Sequence, residues 1–108
     1  MARVVITASA DVDTAYIIAD LGAKAGANVA VRYDADFHRL YERLSDHPES
    51  GAPRPRLGKQ VRICVVSPYV VIYKHIEADD TVTIMRIAHG RRKITRKFVR
   101  GKAPTSGA

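Results

Sequence analysis

The 108-residue sequence contains one cysteine and no long apolar run. Cys64 has no second cysteine to pair with, which excludes an internal disulfide framework and favours a reducing compartment. No apolar stretch approaches the roughly 20 residues that cross a bilayer, and the first residues form too short a run for a signal-peptide core. The sequence therefore predicts an unexported, cytoplasmic protein without a membrane segment.

Sequence motifs for cofactors, metals and covalent catalysis are also missing. The histidines and the cysteine lack the short paired spacing of zinc ligands, so no metal site is predicted. The glycines are scattered, which excludes the phosphate-binding and dinucleotide-binding loops. No serine lies in a Gly-x-Ser-x-Gly elbow. We expect no bound cofactor and no nucleotide hydrolysis.

The composition is that of one folded domain. At 46% hydrophobic and 27% charged residues, the chain can bury a small core, and its length matches a typical single domain. We predict one domain over residues 1–102 and a frayed tail over residues 103–108.

Acidic residues are absent after Asp80, and this makes the net charge of +7 a C-terminal feature. Residues 1–80 carry 10 basic and 11 acidic side chains, whereas residues 81–108 carry eight basic side chains and no acidic ones. Like charges so close in sequence repel one another. They are tolerated on a solvated tail, or they form a surface that binds an anion or an acidic partner. A nucleic-acid contact is one such use.

Hydrophobic periodicity predicts a strand followed by two helices. The β-branched stretch from Arg3 to Ala8 predicts a strand, and Ser9 is a candidate cap for a helix that ends before Gly26. Asn28 is a candidate cap for a second helix that Pro48 ends. The short link predicts an antiparallel helical hairpin.

After a loop over residues 48–60, three β-branched segments predict an antiparallel meander. They span Val61 to Val66, Tyr69 to Ile76 and Thr81 to Ala88, with short links between them. Residues 91–99 predict a short basic helix. Tyr69 and Tyr73 share one face of their strand, where they could pack in the core or stack on unpaired bases.

Several segments together resemble the ParE branch of the RelE/ParE toxin superfamily. They read FHRLY at residues 37–41, SPYVVIY at 67–73, DDTVTIMRI at 79–87 and AHGRR at 88–92. The resemblance covers roughly residues 3 to 98. It implies an α+β fold in which the helical hairpin packs on an antiparallel β-sheet, with the first strand at the edge or paired to the last.

The resemblance also implies a bacterial toxin of a type II toxin–antitoxin module, neutralised by a ParD-like antitoxin. ParE-like members inhibit DNA gyrase by binding it, whereas RelE-like members cut mRNA on the ribosome. Here Val70 stands where the superfamily commonly has arginine, and Phe98 lacks a hydroxyl that could donate a proton. These departures favour the gyrase inhibitor, which needs no catalytic residue of its own.

Three functional alternatives remain open at this point. The first is gyrase binding through Arg86, Arg91, Arg92 and Lys93. The second is a ribosome-dependent mRNA endonuclease whose cationic site would be Arg62, Arg86 and Arg92. The third is a nucleic-acid-binding module without toxicity.

The predicted antitoxin-binding residues lie on the first helix and the second meander strand. They are Val12, Tyr16, Ala19, Ala23, Tyr69 and Tyr73. A groove between two amphipathic helices can receive a third helix. The alternative is that the helical stripe faces the sheet.

Overall fold

The computed structural model describes residues 1–102, and the predicted tail at 103–108 lies outside the described residues. The order of elements is β1 (Arg3–Ile6), α1 (Ala8–Ala25), α2 (Ala27–Asp46), β2 (Ala52–Pro53), β3 (Val61–Val66), β4 (Tyr69–Ile76), β5 (Thr81–His89) and α3 (Arg96–Arg100). Short 3₁₀ helices span Pro55–Leu57 and Glu77–Asp79.

The five strands form one mixed sheet in the order β1-β5-β4-β3-β2. The meander β3-β4-β5 is antiparallel, as the sequence predicts. Strand β1 lies at the edge and pairs with β5, but it runs parallel to it. A tight turn cannot join parallel strands, and here both long helices and three strands lie between β1 and β5 in the sequence.

The ends of the helices differ from the sequence prediction. Thr7, not Ser9, caps α1, because its Oγ1 accepts a hydrogen bond from the Ala10 amide at 3.1 Å. Gly26 follows α1 with φ +97°, a conformation that glycine adopts without steric cost. The same glycine precedes α2, so Asn28 lies inside the helix rather than at its cap.

The hairpin covers one face of the sheet and forms the main core there. This core includes Phe37, Leu40 and Leu44 from α2, which pack with Tyr73 and Ile84 from the sheet. The stripe of α1 that faces the core contains Ala10 and Ile17. The architecture is therefore the α+β arrangement of hairpin on sheet that the resemblance implies.

The second face of the sheet carries a smaller core that the C-terminal segment covers. Val61 and Ile72 from the sheet pack there with Val99 of α3 and with Ile94 and Phe98. Thr95 caps α3 through a 3.1 Å bond from the Phe98 amide, so the helix begins at Arg96 rather than at Arg91. The basic segment is thus packed against the sheet.

Strand β5 contains a β-bulge at Met85, which changes the face of the sheet on which the following side chains lie. Ile72 pairs with Arg86 and Tyr73 pairs with Ile84, which leaves Met85 as an extra residue in β5. The extra residue shifts the alternation of side chains, so that Arg86 shares a face with Ile72 while Ile84 and Ile87 face the main core.

Tyr73 anchors the loop that leads into the sheet. Its hydroxyl donates to the Pro48 carbonyl and accepts from the Gly51 amide, both at 2.9 Å. A Cβ atom on Gly51 would lie 2.6 Å from the Tyr73 hydroxyl, so only glycine fits at this position. The core-packing alternative holds for Tyr73, whose side chain is fully buried.

Candidate functional site

Arg86 is a buried cation that joins three parts of the chain. It is 4% exposed, and its Nε and Nη2 donate to the two carboxylate oxygens of Asp13 at 2.8 and 3.0 Å. Its Nη1 donates to the carbonyls of Phe98 at 3.0 Å and Gly101 at 3.4 Å. A two-point arginine–carboxylate pair fixes geometry strongly, so Arg86 ties α1 and the C-terminal segment to β5.

Asp13 also accepts a hydrogen bond from a backbone amide of β5. Strand β1 ends opposite Ile84, and beyond that point the Ile87 amide donates to Asp13 Oδ2 at 3.0 Å. One carboxylate therefore neutralises a buried guanidinium and satisfies a strand amide. Asp13 lies in the second turn of α1, which begins at Ala8.

Phe98 lies between two arginines. The guanidinium carbon of Arg86 is 4.0 Å from the ring centroid and that of Arg92 is 4.3 Å from it. Both distances are within the range of cation–π attraction. Arg92 is exposed, so the ring orients a surface cation, and Arg86 positions the ring from beneath.

A groove of about 350 Å³ runs between α1 and this arginine pair. We call it the aromatic groove; its lining includes Tyr16, Asp20, Tyr69, His89, Arg92 and Phe98. The rings of Tyr69 and His89 meet edge to face at 5.8 Å. Burial raises the pKa of the Tyr69 hydroxyl above its ordinary value. The groove offers aromatic surface with charges of both signs.

A second groove of about 440 Å³ carries positive charge alone. We call it the basic groove; its lining is Arg54, Arg56, Leu57, Ile63, Lys93, Ile94, Thr95 and Arg96. It forms because α3 packs against the 3₁₀ helix Pro55–Leu57. Sequence patterns gave no sign of Arg54 and Arg56, because Arg54, between two prolines, and Arg56, directly after the second, lie in an aperiodic loop.

The structure separates the three arginines of the nuclease alternative. Arg62 alternates with Val61 and Ile63, which pack on the second face, so it points toward the hairpin side. Its Nη1 donates to the carbonyls of Glu49 at 2.9 Å and Gly51 at 2.8 Å. Arg86 and Arg92 meet instead at Phe98 on the opposite side of the sheet.

The predicted antitoxin-binding residues fall into an exposed and a buried group. Tyr16 is 73% exposed on α1, Ala19 and Ala23 are exposed, and Val12 is half-buried. Tyr69 is 7% exposed and lines the aromatic groove. Tyr73 has no exposed surface, so a partner cannot contact it without opening the core.

Two further features concern reactivity and metals. Burial raises the pKa of the Cys64 thiol, which keeps it in its protonated, weakly nucleophilic form. Glu49, His75 and Glu77 bring potential ligand atoms within 4.8 Å of one another in a cleft apart from both grooves. Among residues 1–102, no helix is long and apolar enough to cross a membrane.

Comparison with known proteins identifies the family. No curated protein sequence matches the chain. Among solved structures, a chain described as "Chromosomal ParDE TA system from P. aeruginosa" matches with a TM-score of 0.69 and 21% identity, covering 82% of this chain and 96% of that one. This likeness supports the fold. The sequence model of the family "ParE toxin of type II toxin-antitoxin system, parDE" matches residues 4–94. Because that match spans most of the sequence, the chain belongs to the ParE toxin family of type II toxin–antitoxin systems.

Proposed function

We propose that this toxin inhibits growth in the cytoplasm by binding DNA gyrase or the DNA that gyrase holds. The observation that carries the proposal is the basic groove, where Arg54, Arg56, Lys93 and Arg96 converge without a carboxylate among the lining residues. A surface of one sign attracts an oppositely charged partner and steers its approach. Arg91 and Arg92, both exposed, extend this surface along the chain.

In this proposal Arg86 has a positioning role. Its guanidinium is buried and paired with Asp13, so it does not face a partner. It holds Phe98, against which Arg92 is oriented. Of the predicted target-binding residues, Arg91, Arg92 and Lys93 therefore remain. The proposed surface also includes Arg54 and Arg56 of the loop and Arg96 of α3.

The separation of Arg62 from Arg86 and Arg92 supports binding over RNA cleavage. A cationic nuclease site needs its charges around one phosphate, where they stabilise the transition state. Here Arg62 is held by the Glu49 and Gly51 carbonyls. We therefore propose a toxin that acts by occupying its target.

The test is a gyrase supercoiling assay with the purified full-length chain, scored for plasmid cleaved and linked to protein. Cleavage of ribosome-bound mRNA is measured in parallel with the same preparation. We expect cleaved plasmid and intact mRNA. Cut mRNA with unaffected gyrase would overturn the proposal.

A charge reversal at α3 tests the basic groove. Arg96→Glu should lower gyrase inhibition at least tenfold, and a glutamate at the first residue of a helix suits the helix dipole. Arg32→Glu is the control, because Arg32 is an exposed cation on α2 outside the basic groove. Equal loss in both variants would mean that only the total charge matters.

We further propose that a ParD-like antitoxin binds the exposed stripe of α1. Tyr16 is its central contact, with Ala19, Ala23 and Val12 alongside and Tyr69 reached through the aromatic groove. Tyr73 is not part of this surface. Small residues beside one exposed aromatic side chain suit the packing of a partner helix.

Co-expression with the neighbouring open reading frame tests the antitoxin surface. It should restore growth and co-purify a complex, and Tyr16→Asp should weaken that complex. Val31→Asp is the control, since Val31 is a similarly exposed apolar residue on α2, at 69%. A complex insensitive to Tyr16→Asp would place the antitoxin elsewhere.

A further inference from the structure

A buried histidine lies beside two carboxylates where α2 ends and β4 turns into β5. The cleft there has a volume of about 700 Å³, and its lining includes Glu49, His75 and Glu77. The potential ligand atoms of these three residues all lie within 4.8 Å of one another. Residue spacing gave no sign of this cluster, because 26 positions separate Glu49 from His75.

His75 is held in a defined orientation by Asp80. Its side chain is 10% exposed, and Nε2 lies 2.9 Å from Asp80 Oδ1. When Nε2–H donates to that carboxylate, the lone pair belongs to Nδ1. A histidine that binds a metal usually donates its other N–H to a carboxylate in this way, which fixes the tautomer and raises the basicity of the ligand nitrogen.

The other ring nitrogen has no hydrogen-bond partner among the described residues. His75 Nδ1 is buried, and Glu49 Oε2 lies 3.4 Å from it. In the tautomer whose Nε2–H donates to Asp80, the Nδ1 lone pair faces a carboxylate oxygen of Glu49. Leaving such a buried polar atom unsatisfied is costly, and a cation between the two acceptors would remove the conflict.

We propose that Glu49, His75 and Glu77 bind one divalent transition-metal ion, with Zn²⁺ as the representative ion. One imidazole nitrogen and two carboxylates form a donor set that suits Zn²⁺, leaving a fourth position for water. Zinc bonds of about 2.0–2.2 Å require ligand atoms closer than 4.8 Å, so the carboxylates must move inward. Both glutamates are exposed and can adjust, whereas His75 is already in place.

The metal would act as a clamp within the fold. It would join the loop after α2, which carries Glu49, to the turn after β4, which carries Glu77. These ligands line neither the basic groove nor the aromatic groove. The proposed site is thus independent of the surfaces assigned to gyrase and antitoxin.

The test is a calorimetric titration of Zn²⁺ into the full-length chain after treatment with a chelator. We expect one equivalent of Zn²⁺ per chain and a higher thermal midpoint in its presence. Glu49→Gln and Glu77→Gln should each weaken binding about tenfold or more. Asp80→Asn should weaken it roughly 10- to 100-fold, as is typical when the carboxylate behind a metal-bound histidine is lost.

Two controls separate this site from general binding to the surface. His38→Gln removes an exposed histidine near Asp34, and Glu42→Gln removes an exposed carboxylate on α2. Both should bind Zn²⁺ like the unmodified chain. Glu49 and Glu77 are exposed, so their variants keep the test decisive even if His75→Gln fails to fold. Absence of saturable binding would overturn the proposal, and so would an affinity of Glu49→Gln and Glu77→Gln for Zn²⁺ equal to that of the unmodified chain.

Discussion

At the scale of the residue, the role of Arg86 is decided by a partner 73 positions away. Sequence patterns place Arg86 in a basic C-terminal region, where it is expected to face a target. The structure instead gives it Asp13, two carbonyls and the ring of Phe98. A cation with this many internal contacts stabilises the fold.

Asp13→Asn should therefore destabilise the toxin strongly. The change leaves the Arg86 guanidinium buried without its counter-ion, and breaking a buried pair in this way costs about 3–5 kcal/mol. Urea denaturation of the variant measures the loss. Asp20→Asn is the control. Because the ion pair of Asp20 with Lys24 is exposed, this substitution should leave the urea midpoint nearly unchanged. A midpoint for Asp13→Asn equal to that of the control would show that the pair contributes little.

Residue patterns could indicate which side chains are charged or apolar, and they predicted Tyr73 in the core as one of two alternatives. They could not indicate that Arg54 and Arg56 join Lys93 and Arg96, because the loop that carries them has no periodicity. Nor could they show His75 beside Glu49. Contacts of this kind depend on long-range packing, which local patterns do not contain.

At the scale of the element, the sequence predicts the positions of helices and strands better than it predicts the contacts of single side chains. The strands β3, β4 and β5 begin where the β-branched segments begin, and α1 and α2 lie where two helices are predicted. The differences lie at the helix ends and in the predicted loop over residues 48–60, which contains the short strand β2. Thr7 and Ser9 both offer a hydroxyl, and Thr7 forms the cap because its Oγ1 also donates to the Met85 carbonyl at 3.1 Å. Tertiary structure thus selects between two equivalent local signals.

Thr7→Ala should cost about 1–2 kcal/mol, since it removes the cap of α1 as well as the bond to Met85. Thr7→Ser keeps the hydroxyl and should recover most of that stability. Thermal or urea denaturation of the two variants provides the comparison. If serine and alanine destabilise the toxin equally, the methyl group rather than the hydroxyl is the important part of Thr7.

At the scale of the whole molecule, buried tyrosines link stability to alkaline pH. Burial raises the pKa of Tyr41 to about 12, and it also raises the pKa values of Tyr69 and Tyr73. An unfolded tyrosine has a pKa of about 10. Above pH 10 the unfolded chain loses protons that the folded chain keeps, so stability is full below pH 10 and falls as the pH rises toward 12.

Urea denaturation at a series of pH values from 8 to 12 should show this decline. Tyr41→Phe should make it less steep between pH 10 and pH 12, because one of the linked protons is removed. Tyr16→Phe should not change the slope, since Tyr16 is 73% exposed in the folded chain. A slope unaffected by Tyr41→Phe would assign the alkaline transition to other groups.

The pairing of β1 with β5 has a consequence for synthesis on the ribosome. The backbone hydrogen bonds of residues 3–6 can form only after residues 81–84 have been synthesised. The ion pair of Asp13 likewise requires Arg86. Contacts between such distant positions slow folding, because the chain must close a long loop first. A nascent toxin therefore spends most of its translation without the basic groove, whose last cations are Lys93 and Arg96. Fragments that end before residue 90 keep Arg54 and Arg56 but lack Lys93 and Arg96, the other two cations of the basic groove. A premature stop there should therefore yield a harmless product.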